Sequence, residues 1–263
     1  MPKVRYDRAG AAAVLTIDRR ERRNAVDIET AALLLEGFRD FEADEEARVL
    51  VLTGEGPEAF CAGANLKAIA EAGAGVTAEA VDAVTARTEG PMGFTRLTPS
   101  KPTLAAISGW CLAGGLELAL WCDLRIATTT ARLGFTERRF GVPLIDGGTQ
   151  RLPAIVGMGR ALELILTGRV VDAEEALRWG LVNEVVPEGD HRDRALEIAE
   201  GLAAFPQQTM LSDRRAALEG HGLPLAEGLA LEAELGHASI ETGLRGAARF
   251  AAGEGRGAEG AGV

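Results

Sequence analysis

The sequence predicts an α/β fold, because strand patterns and amphipathic helix patterns alternate along most of its 263 residues. Residues 4–6, 12–17 and 48–53 are predicted strands, since these apolar runs are bounded by Asp, Arg and Gly. Between the last two strands, apolar residues from Ile28 to Phe38 keep helical spacing behind Asp27, a favourable N-cap residue. The order of strand, Gly-rich turn and helix then recurs through residues 103–128. The alternation alone leaves open a doubly wound sheet or a coiled stack of ββα units.

Helical patterns dominate after Gly189, and four helices are predicted, over residues 192–204, 207–219, 225–239 and 244–252. Residues 71–88 are rich in Ala and Gly and only weakly amphipathic, so we expect a mobile segment that leads into a helix. The tail after Gly253 has few apolar residues and is expected to fray. We therefore expect a core domain over residues 1–190 and a C-terminal helical region over residues 191–263.

Composition and charge exclude several classes of protein. No run of eighteen apolar residues is present, so no membrane span is expected, and the N-terminal residues contain no apolar stretch typical of a secretory signal. Three cysteines, an odd number without zinc-ligand spacing, favour a reducing compartment, so we expect a cytoplasmic protein. The net charge of -11 argues against nucleic acid as a partner, because binding phosphates needs clustered Lys and Arg.

Two turns built from small residues indicate a site for chemistry on a carbonyl group. In residues 107–118 an apolar run breaks into small residues and restarts as a helix, with Gly114 and Gly115 at the junction and Glu117 just inside. Glycine lets the backbone approach a ligand, and the first N–H groups of a helix are unpaired and partly positive. Residues 58–67 form a second such turn, so each turn could direct one N–H group at the same oxygen atom.

At these residues the chain resembles the crotonase superfamily, the enoyl-CoA hydratase/isomerase group. The matching segments recur in the family's order and cover residues 23–26, 59–66, 108–118, 122–124, 147–152, 166–168 and 176–182. The resemblance implies a spiral of repeated ββα units for the core. It also implies that the C-terminal helices pack against neighbouring subunits, which gives a homotrimer or a dimer of trimers.

The resemblance further implies the catalytic groups. The backbone N–H groups of Ala64 and Gly114 correspond to the oxyanion hole that binds the thioester carbonyl and stabilises the enolate. Glu117 and Glu137 match the two glutamates that hold a water molecule while it adds to the β-carbon, one of them delivering a proton to the α-carbon. The predicted activity is hydration of a trans-2-enoyl-CoA to a 3-hydroxyacyl-CoA.

Two departures from the hydratase pattern leave alternatives open. Thr136 replaces the proline that usually precedes the second glutamate, and Arg138 and Arg139 follow it, where an arginine near Glu137 would lower its pKa and weaken it as an acid. Asp146 stands where hydratases usually have a small residue, and related enzymes use an aspartate of this loop as nucleophile or base. Asp146 is thus a third candidate catalytic carboxylate, or an Asp that accepts backbone N–H groups in a Gly-rich turn.

The substrate contacts also follow from the resemblance. The candidate residues that bind the acyl-CoA thioester are Arg22, Arg23, Ala25, Ala62, Ala64, Asn65, Leu66, Lys67, Gly114 and Arg256. Local basic residues are needed because coenzyme A and the chain are both anionic. No metal and no separate cofactor are expected, since coenzyme A enters as part of the substrate.

Two other functions remain open. An enoyl-CoA isomerase, or another crotonase that forms an enolate, would need only one active carboxylate or Asp146 to move the proton. A non-catalytic acyl-CoA-binding protein would keep the fold without acid and base chemistry, as the arginines after Glu137 could indicate. Glu117 could likewise serve only to complement the helix dipole, and Glu137 could pair with a neighbouring arginine.

Overall fold

The computed structural model describes residues 2–67 and 86–253. Most of the segment expected to be mobile, residues 71–88, lies outside these ranges, and so does the tail after Gly253. The chain divides into two compact units, Met1–Leu196 and Glu197–Val263. No helix in the described ranges is both long and apolar enough to cross a membrane.

Ten strands of the described residues form two sheets in the first unit. The larger sheet has the order β1-β2-β3-β5-β7-β10, and the smaller has the order β4-β6-β8-β9. The strands are β1 Val4–Ala9, β2 Ala12–Ile17, β3 Val49–Gly54, β4 Ala59–Cys61, β5 Thr103–Ile107, β6 Trp110–Leu112, β7 Leu124–Thr128, β8 Arg132–Gly134, β9 Val170–Asp172 and β10 Glu184–Val186.

The two strands of each successive pair lie in different sheets. In the pairs β3/β4, β5/β6 and β7/β8 the first strand joins the larger sheet and the second joins the smaller one. Neighbours among β2, β3, β5 and β7 are parallel, as are β4, β6 and β8, so each return to a sheet needs a crossover. This arrangement is a spiral of ββα units, as the resemblance implied, and the doubly wound alternative is wrong.

Helices cover the sheets of the first unit. They are α1 Ile28–Ala43, α2 Gly114–Trp121, α3 Gly148–Val156, α4 Met158–Thr167 and α5 Ala173–Trp179, while α6 His191–Ala204 crosses the boundary between the units. The predicted N-cap of α1 is confirmed, since the Asp27 carboxylate accepts the Thr30 N–H at 2.9 Å. Every residue of β2, β3 and β5 is buried, as expected for strands covered on both faces.

The second unit is helical. It contains α7 Gln207–Gly220, α8 Leu225–His237 and α9 Ile240–Ala251. The four predicted C-terminal helices are present, but α9 begins at Ile240, four residues earlier than its apolar pattern indicates. The buried Ser239 hydroxyl donates to the Gln208 carbonyl oxygen at 3.1 Å, which ties the start of α9 to α7.

Candidate active site

The two small-residue turns meet in the first unit. Strands β4 and β6 pair with Cys61 opposite Cys111, so the turns that follow them leave the small sheet side by side. A Cβ atom at Gly63 would lie 2.8 Å from the Ala113 Cβ atom and 3.0 Å from the Gly114 nitrogen. A Cβ atom at Gly115 would likewise collide with the Cys61 carbonyl group. The small residues are therefore required because the two backbones touch here.

The Ala64 N–H group is left unpaired by the way its loop is held. Val26 forms a parallel bridge with Ala64, in which the Val26 N–H donates to the Gly63 carbonyl at 2.9 Å and the Asn65 N–H donates to the Val26 carbonyl at 2.8 Å. In such a bridge the residue between the two bonded positions, here Ala64, directs its own N–H group away from the partner strand. Among the described residues, the Ala64 N–H donates to no backbone acceptor.

The Gly114 N–H group is unpaired because it begins a helix. Gly114 is the first residue of α2, and within the described ranges its N–H has no intrachain backbone acceptor. The preceding residue, Ala113, has φ 53° and ψ -128°, a conformation that is costly for a residue with a side chain. At the other end of α2, the buried Arg125 guanidinium donates to the Cys122 carbonyl at 2.7 Å, so a cation complements the helix dipole there.

The loop of residues 22–25 supports the Ala64 turn. Arg23 and Asn24 have positive φ angles of 51° and 56°, and the Arg23 carbonyl accepts the Ala62 N–H at 3.0 Å. The buried Asn24 side chain donates to the carbonyls of Glu55 and Ala59, which fastens the loop to the connection between β3 and β4. The matched segment that contains Arg23 thus fixes the backbone of one proposed oxyanion donor.

Glu117 lies in the first turn of α2 and is only 3% exposed. Its Oε1 atom accepts the Asp146 N–H at 2.9 Å and the Gly148 N–H at 2.8 Å. Burial raises the pKa of Glu117 to about 7, and the charges of Asp146 and Glu137 act in the same direction. Two backbone donors hold this carboxyl group in a fixed orientation.

Glu137 lies in the short 3-10 helix Thr136–Phe140 and is 5% exposed. Neither of its carboxyl oxygens has a hydrogen-bond partner among the described residues. Burial raises the pKa of Glu137 to about 7 as well. A Cβ atom at Gly148 would lie 2.8 Å from Phe135 Cζ and 3.1 Å from the Glu117 Cγ atom, so the segment leading to Glu137 and the Glu117 side chain converge on one point.

The two arginines after Glu137 do not pair with its carboxyl group. Arg138 Nε donates to the Ile165 carbonyl at 3.3 Å, and Arg139 Nη2 donates to the Gly168 carbonyl at 3.0 Å, both at the C-terminal end of α4. The charge of Arg138 does act to lower the pKa of Glu137, but burial outweighs it. The predicted lowering by a neighbouring arginine is thus present, but the pKa of Glu137 is raised overall, because burial is the larger effect and both guanidinium groups bind carbonyl groups at the end of α4.

Asp146 lies next to Glu117, but its carboxylate contacts another segment. It is 3% exposed, and its Oδ1 atom accepts the Met92 N–H at 3.0 Å and the Thr95 hydroxyl. Burial raises the pKa of Asp146 above its ordinary value. Met92 itself packs against Gly114, where a Cβ atom would lie 2.9 Å from the Met92 sulfur. The sequence did not indicate Met92 or Thr95, because residues 90–95 have no apolar periodicity.

The other candidate residues lie around these turns. Arg22, Arg23, Leu66 and Lys67 are exposed, Ala62, Ala64 and Asn65 are half-buried, and Ala25 is buried. Arg256 lies outside the described residues.

Arg23 also lines an open groove of about 620 Å³ beside the small sheet. Trp110, Leu112, Arg139 and Phe140 line it too. The sequence did not predict this groove, because its lining comes from three strands, the loop at Arg23, the 3-10 helix Thr136–Phe140 and helix α5.

Comparison with known proteins agrees with the geometry. Residues 7–251 match the enoyl-CoA hydratase/isomerase family. An (E)-benzylidenesuccinyl-CoA hydratase of Thauera aromatica is 37% identical over 217 residues, 82% of either chain. A short-chain-enoyl-CoA hydratase of Clostridium acetobutylicum is 35% identical over 232 residues, 87% of this chain and 85% of the relative. The crystal structure of an enoyl-CoA hydratase from Bacillus anthracis aligns with a TM-score of 0.83 at 34% identity, over 95% of this chain and 96% of that one. The chain belongs to the enoyl-CoA hydratase/isomerase family of the crotonase superfamily.

Proposed function

We propose that this chain hydrates a trans-2-enoyl-CoA thioester to the 3-hydroxyacyl-CoA. The observation that carries the proposal is the pair of buried glutamates, Glu117 and Glu137, each with a pKa raised to about 7. Addition of water needs one group that accepts a proton and another that donates one. Two carboxyl groups with a pKa near neutrality supply both forms at the same pH.

The unpaired N–H groups of Ala64 and Gly114 would bind the thioester oxygen. They belong to turns that touch each other, and the second begins a helix whose dipole favours negative charge. As water adds to the β-carbon, negative charge moves onto that oxygen, and two preorganised donors stabilise it. Loss of one such donor typically costs on the order of a hundredfold or more in rate.

The surroundings of the two glutamates favour different roles. Hydrogen bonds from Asp146 and Gly148 favour the ionised form of Glu117, which would orient the water and accept its proton. Glu137 has no described donor, so burial favours its neutral form, which would deliver a proton to the α-carbon. Both proton transfers would then occur on one face of the substrate.

The coenzyme A part would lie against the turn formed by residues 62–67 and the loop of residues 22–25. Arg22, Arg23 and Lys67 are exposed there, and they could offset the net charge of -11 for an anionic ligand. Arg256 would add a further cation. We propose no cofactor apart from the coenzyme A of the substrate, and the cytoplasmic location stays a prediction.

The second unit would form contacts with other copies of the chain. No residue of α7, α8 or α9 is buried in the single chain. Large apolar side chains are exposed on these helices, among them Leu225, Leu229, Ile240, Leu244 and Phe250. We expect a homotrimer or a dimer of trimers in light scattering after size exclusion, and a monomer at micromolar concentration would contradict this assembly.

The first experiment is incubation with crotonyl-CoA in water labelled with oxygen-18, followed by absorbance of the conjugated enoyl thioester and mass spectrometry. Labelled 3-hydroxybutyryl-CoA is the expected product. A shifted double bond without label would instead support an isomerase. Tight binding without turnover on a panel of enoyl thioesters would support an acyl-CoA-binding protein, and either result would overturn the proposal.

A further inference from the structure

Asp146 occupies a position between two parts of the candidate site. Its backbone N–H donates to Glu117 Oε1, while its carboxylate reaches the segment of residues 90–95. The carboxylate accepts from both the Met92 N–H and the Thr95 hydroxyl through the single atom Oδ1. One residue therefore contacts the glutamate on one side and the segment that covers Gly114 on the other.

Several hydrogen bonds join the region of residues 90–96 to the Asp146 loop. Arg151 donates to the Asp146 carbonyl at 3.0 Å and to the Thr95 carbonyl at 2.6 Å. Arg96 Nη2 donates to the Ile145 carbonyl at 2.9 Å. The buried Phe94 ring fixes the segment to the core by packing on Phe38 and Trp121, while the polar contacts from residues 145–151 fix the part around Met92 and Thr95.

Met92 is the part of this segment that contacts the oxyanion region. It is 2% exposed, and a Cβ atom at Gly114 would lie 2.9 Å from its sulfur, 3.1 Å from Cε and 3.2 Å from Cγ. The Met92 side chain thus lies against the residue that supplies one proposed oxyanion donor. Moving it would change both the shape and the hydration of the space beside that N–H group.

We propose that Asp146 is a positioning residue for the proposed hydration, which holds Met92 against Gly114 through its carboxylate and Glu117 through its backbone N–H. The proposal rests on the hydratase function. It differs from a role as nucleophile or base, because Oδ1 already accepts two hydrogen bonds in a buried place. The Met92 N–H and the Thr95 hydroxyl need an acceptor oxygen but not a negative charge. The side-chain amide oxygen of an asparagine at position 146 can therefore accept both hydrogen bonds.

Substitutions at Asp146 separate these roles. Asp146→Ala removes both hydrogen bonds and should lower kcat on the order of tenfold or more, with a smaller change in KM. Asp146→Asn keeps an acceptor oxygen and should restore kcat to within a few-fold of the unchanged chain. Asparagine as inactive as alanine would overturn the proposal in favour of direct proton transfer, and an alanine variant with unchanged kcat would overturn it altogether.

Thr95 provides an independent variant, and Asp123 a matched control. Thr95→Val should lower kcat less than Asp146→Ala, and Thr95→Ser should restore it. Asp123 makes the same kind of contact, since its carboxylate accepts the Thr103 N–H at 2.8 Å and the Thr103 hydroxyl at 3.2 Å. Asp123→Ala should lower Tm while kcat is maintained. An equal loss of kcat there would mean that general destabilisation explains the Asp146 result.

Hydrogen exchange tests the same proposal without turnover. In the free protein, the Met92 amide should exchange faster in Asp146→Ala than in the unchanged chain, and Asp146→Asn should restore its protection. Unchanged protection in the alanine variant would overturn the positioning role even in an active enzyme. If the unchanged chain does not hydrate enoyl thioesters, the hydratase function fails, while the exchange measurement still decides whether Asp146 holds Met92.

Discussion

Glu117 and Glu137 are both buried carboxyl groups with a pKa of about 7, but their surroundings differ. Glu117 projects from the first turn of a buried helix and accepts two backbone N–H groups. Glu137 projects from a short 3-10 helix and accepts none from the described residues. Similar pKa values therefore arise from different balances between burial and hydrogen bonding, and an unpaired buried carboxyl group persists because it can remain neutral.

Removing either carboxyl group gives the largest expected effect. Glu117→Gln and Glu137→Gln should each lower kcat for hydration by about 10² to 10⁴-fold, since each removes one proton-transfer group. Binding of the thioester, measured by calorimetry with the saturated butyryl-CoA, should change little. Unchanged turnover in both variants would contradict the two-glutamate mechanism, and loss in only one would point to chemistry with a single carboxylate.

Gly148→Ala tests the fixed orientation of Glu117 without removing a carboxyl group. The added Cβ atom would lie 2.8 Å from Phe135 Cζ and 3.1 Å from Glu117 Oε1, so both side chains must shift. We expect kcat to fall on the order of a hundredfold, because a displacement of about 1 Å can cost that much. Gly159→Ala is the control and should keep full activity, because at this helical position the added Cβ would meet no described atom within 4 Å apart from its chain neighbours and the backbone of its own helix.

The stability of the fold should depend on pH through both glutamates. Their pKa rises from 4.5 in the unfolded chain to about 7, so the folded state binds more protons between these values, and stability falls as pH rises through this window. The loss of folding free energy across this window is at most about 3 kcal/mol for each glutamate. At pH 8, Glu137→Gln should raise Tm more than Glu117→Gln, which also loses charge-assisted hydrogen bonds. At pH 4 neither variant should gain stability, and a gain there equal to that at pH 8 would contradict this account.

The smallest expected effect concerns Arg138, whose charge lowers the pKa of Glu137. Arg138 is exposed, so solvent screens this interaction. In Arg138→Ala, the limb of the pH profile of kcat that reports Glu137 should move to higher pH by a few tenths of a unit. Glu117 should not respond, so movement of both limbs would show that the two glutamates titrate as one coupled pair.

The sequence predicted the elements whose pattern is local. The N-cap at Asp27 and the buried runs of β2 and β3 were predictable, because capping chemistry and apolar continuity depend on neighbours in the chain. The small sheet was not, since β4, β6 and β8 have three residues each and show no period. Their pairing nevertheless decides where both oxyanion turns lie.

The candidate site was predictable only in its residue types. The motifs singled out Glu117, Glu137 and the two turns, but a raised pKa depends on burial, which needs the folded chain. The direction of the Arg138 and Arg139 side chains depends on α4, which follows them in the sequence. The contact of Asp146 with Met92 joins residues 54 positions apart and leaves no pattern in either segment.

Helix α2, which carries Glu117, is buried along seven of its eight residues, from Gly115 to Trp121. Such a helix cannot leave its place without opening the hydrophobic core that surrounds it. Heating should therefore leave the orientation of Glu117 intact up to the cooperative unfolding transition. Any loss of activity well below Tm would then originate in the loops around the site.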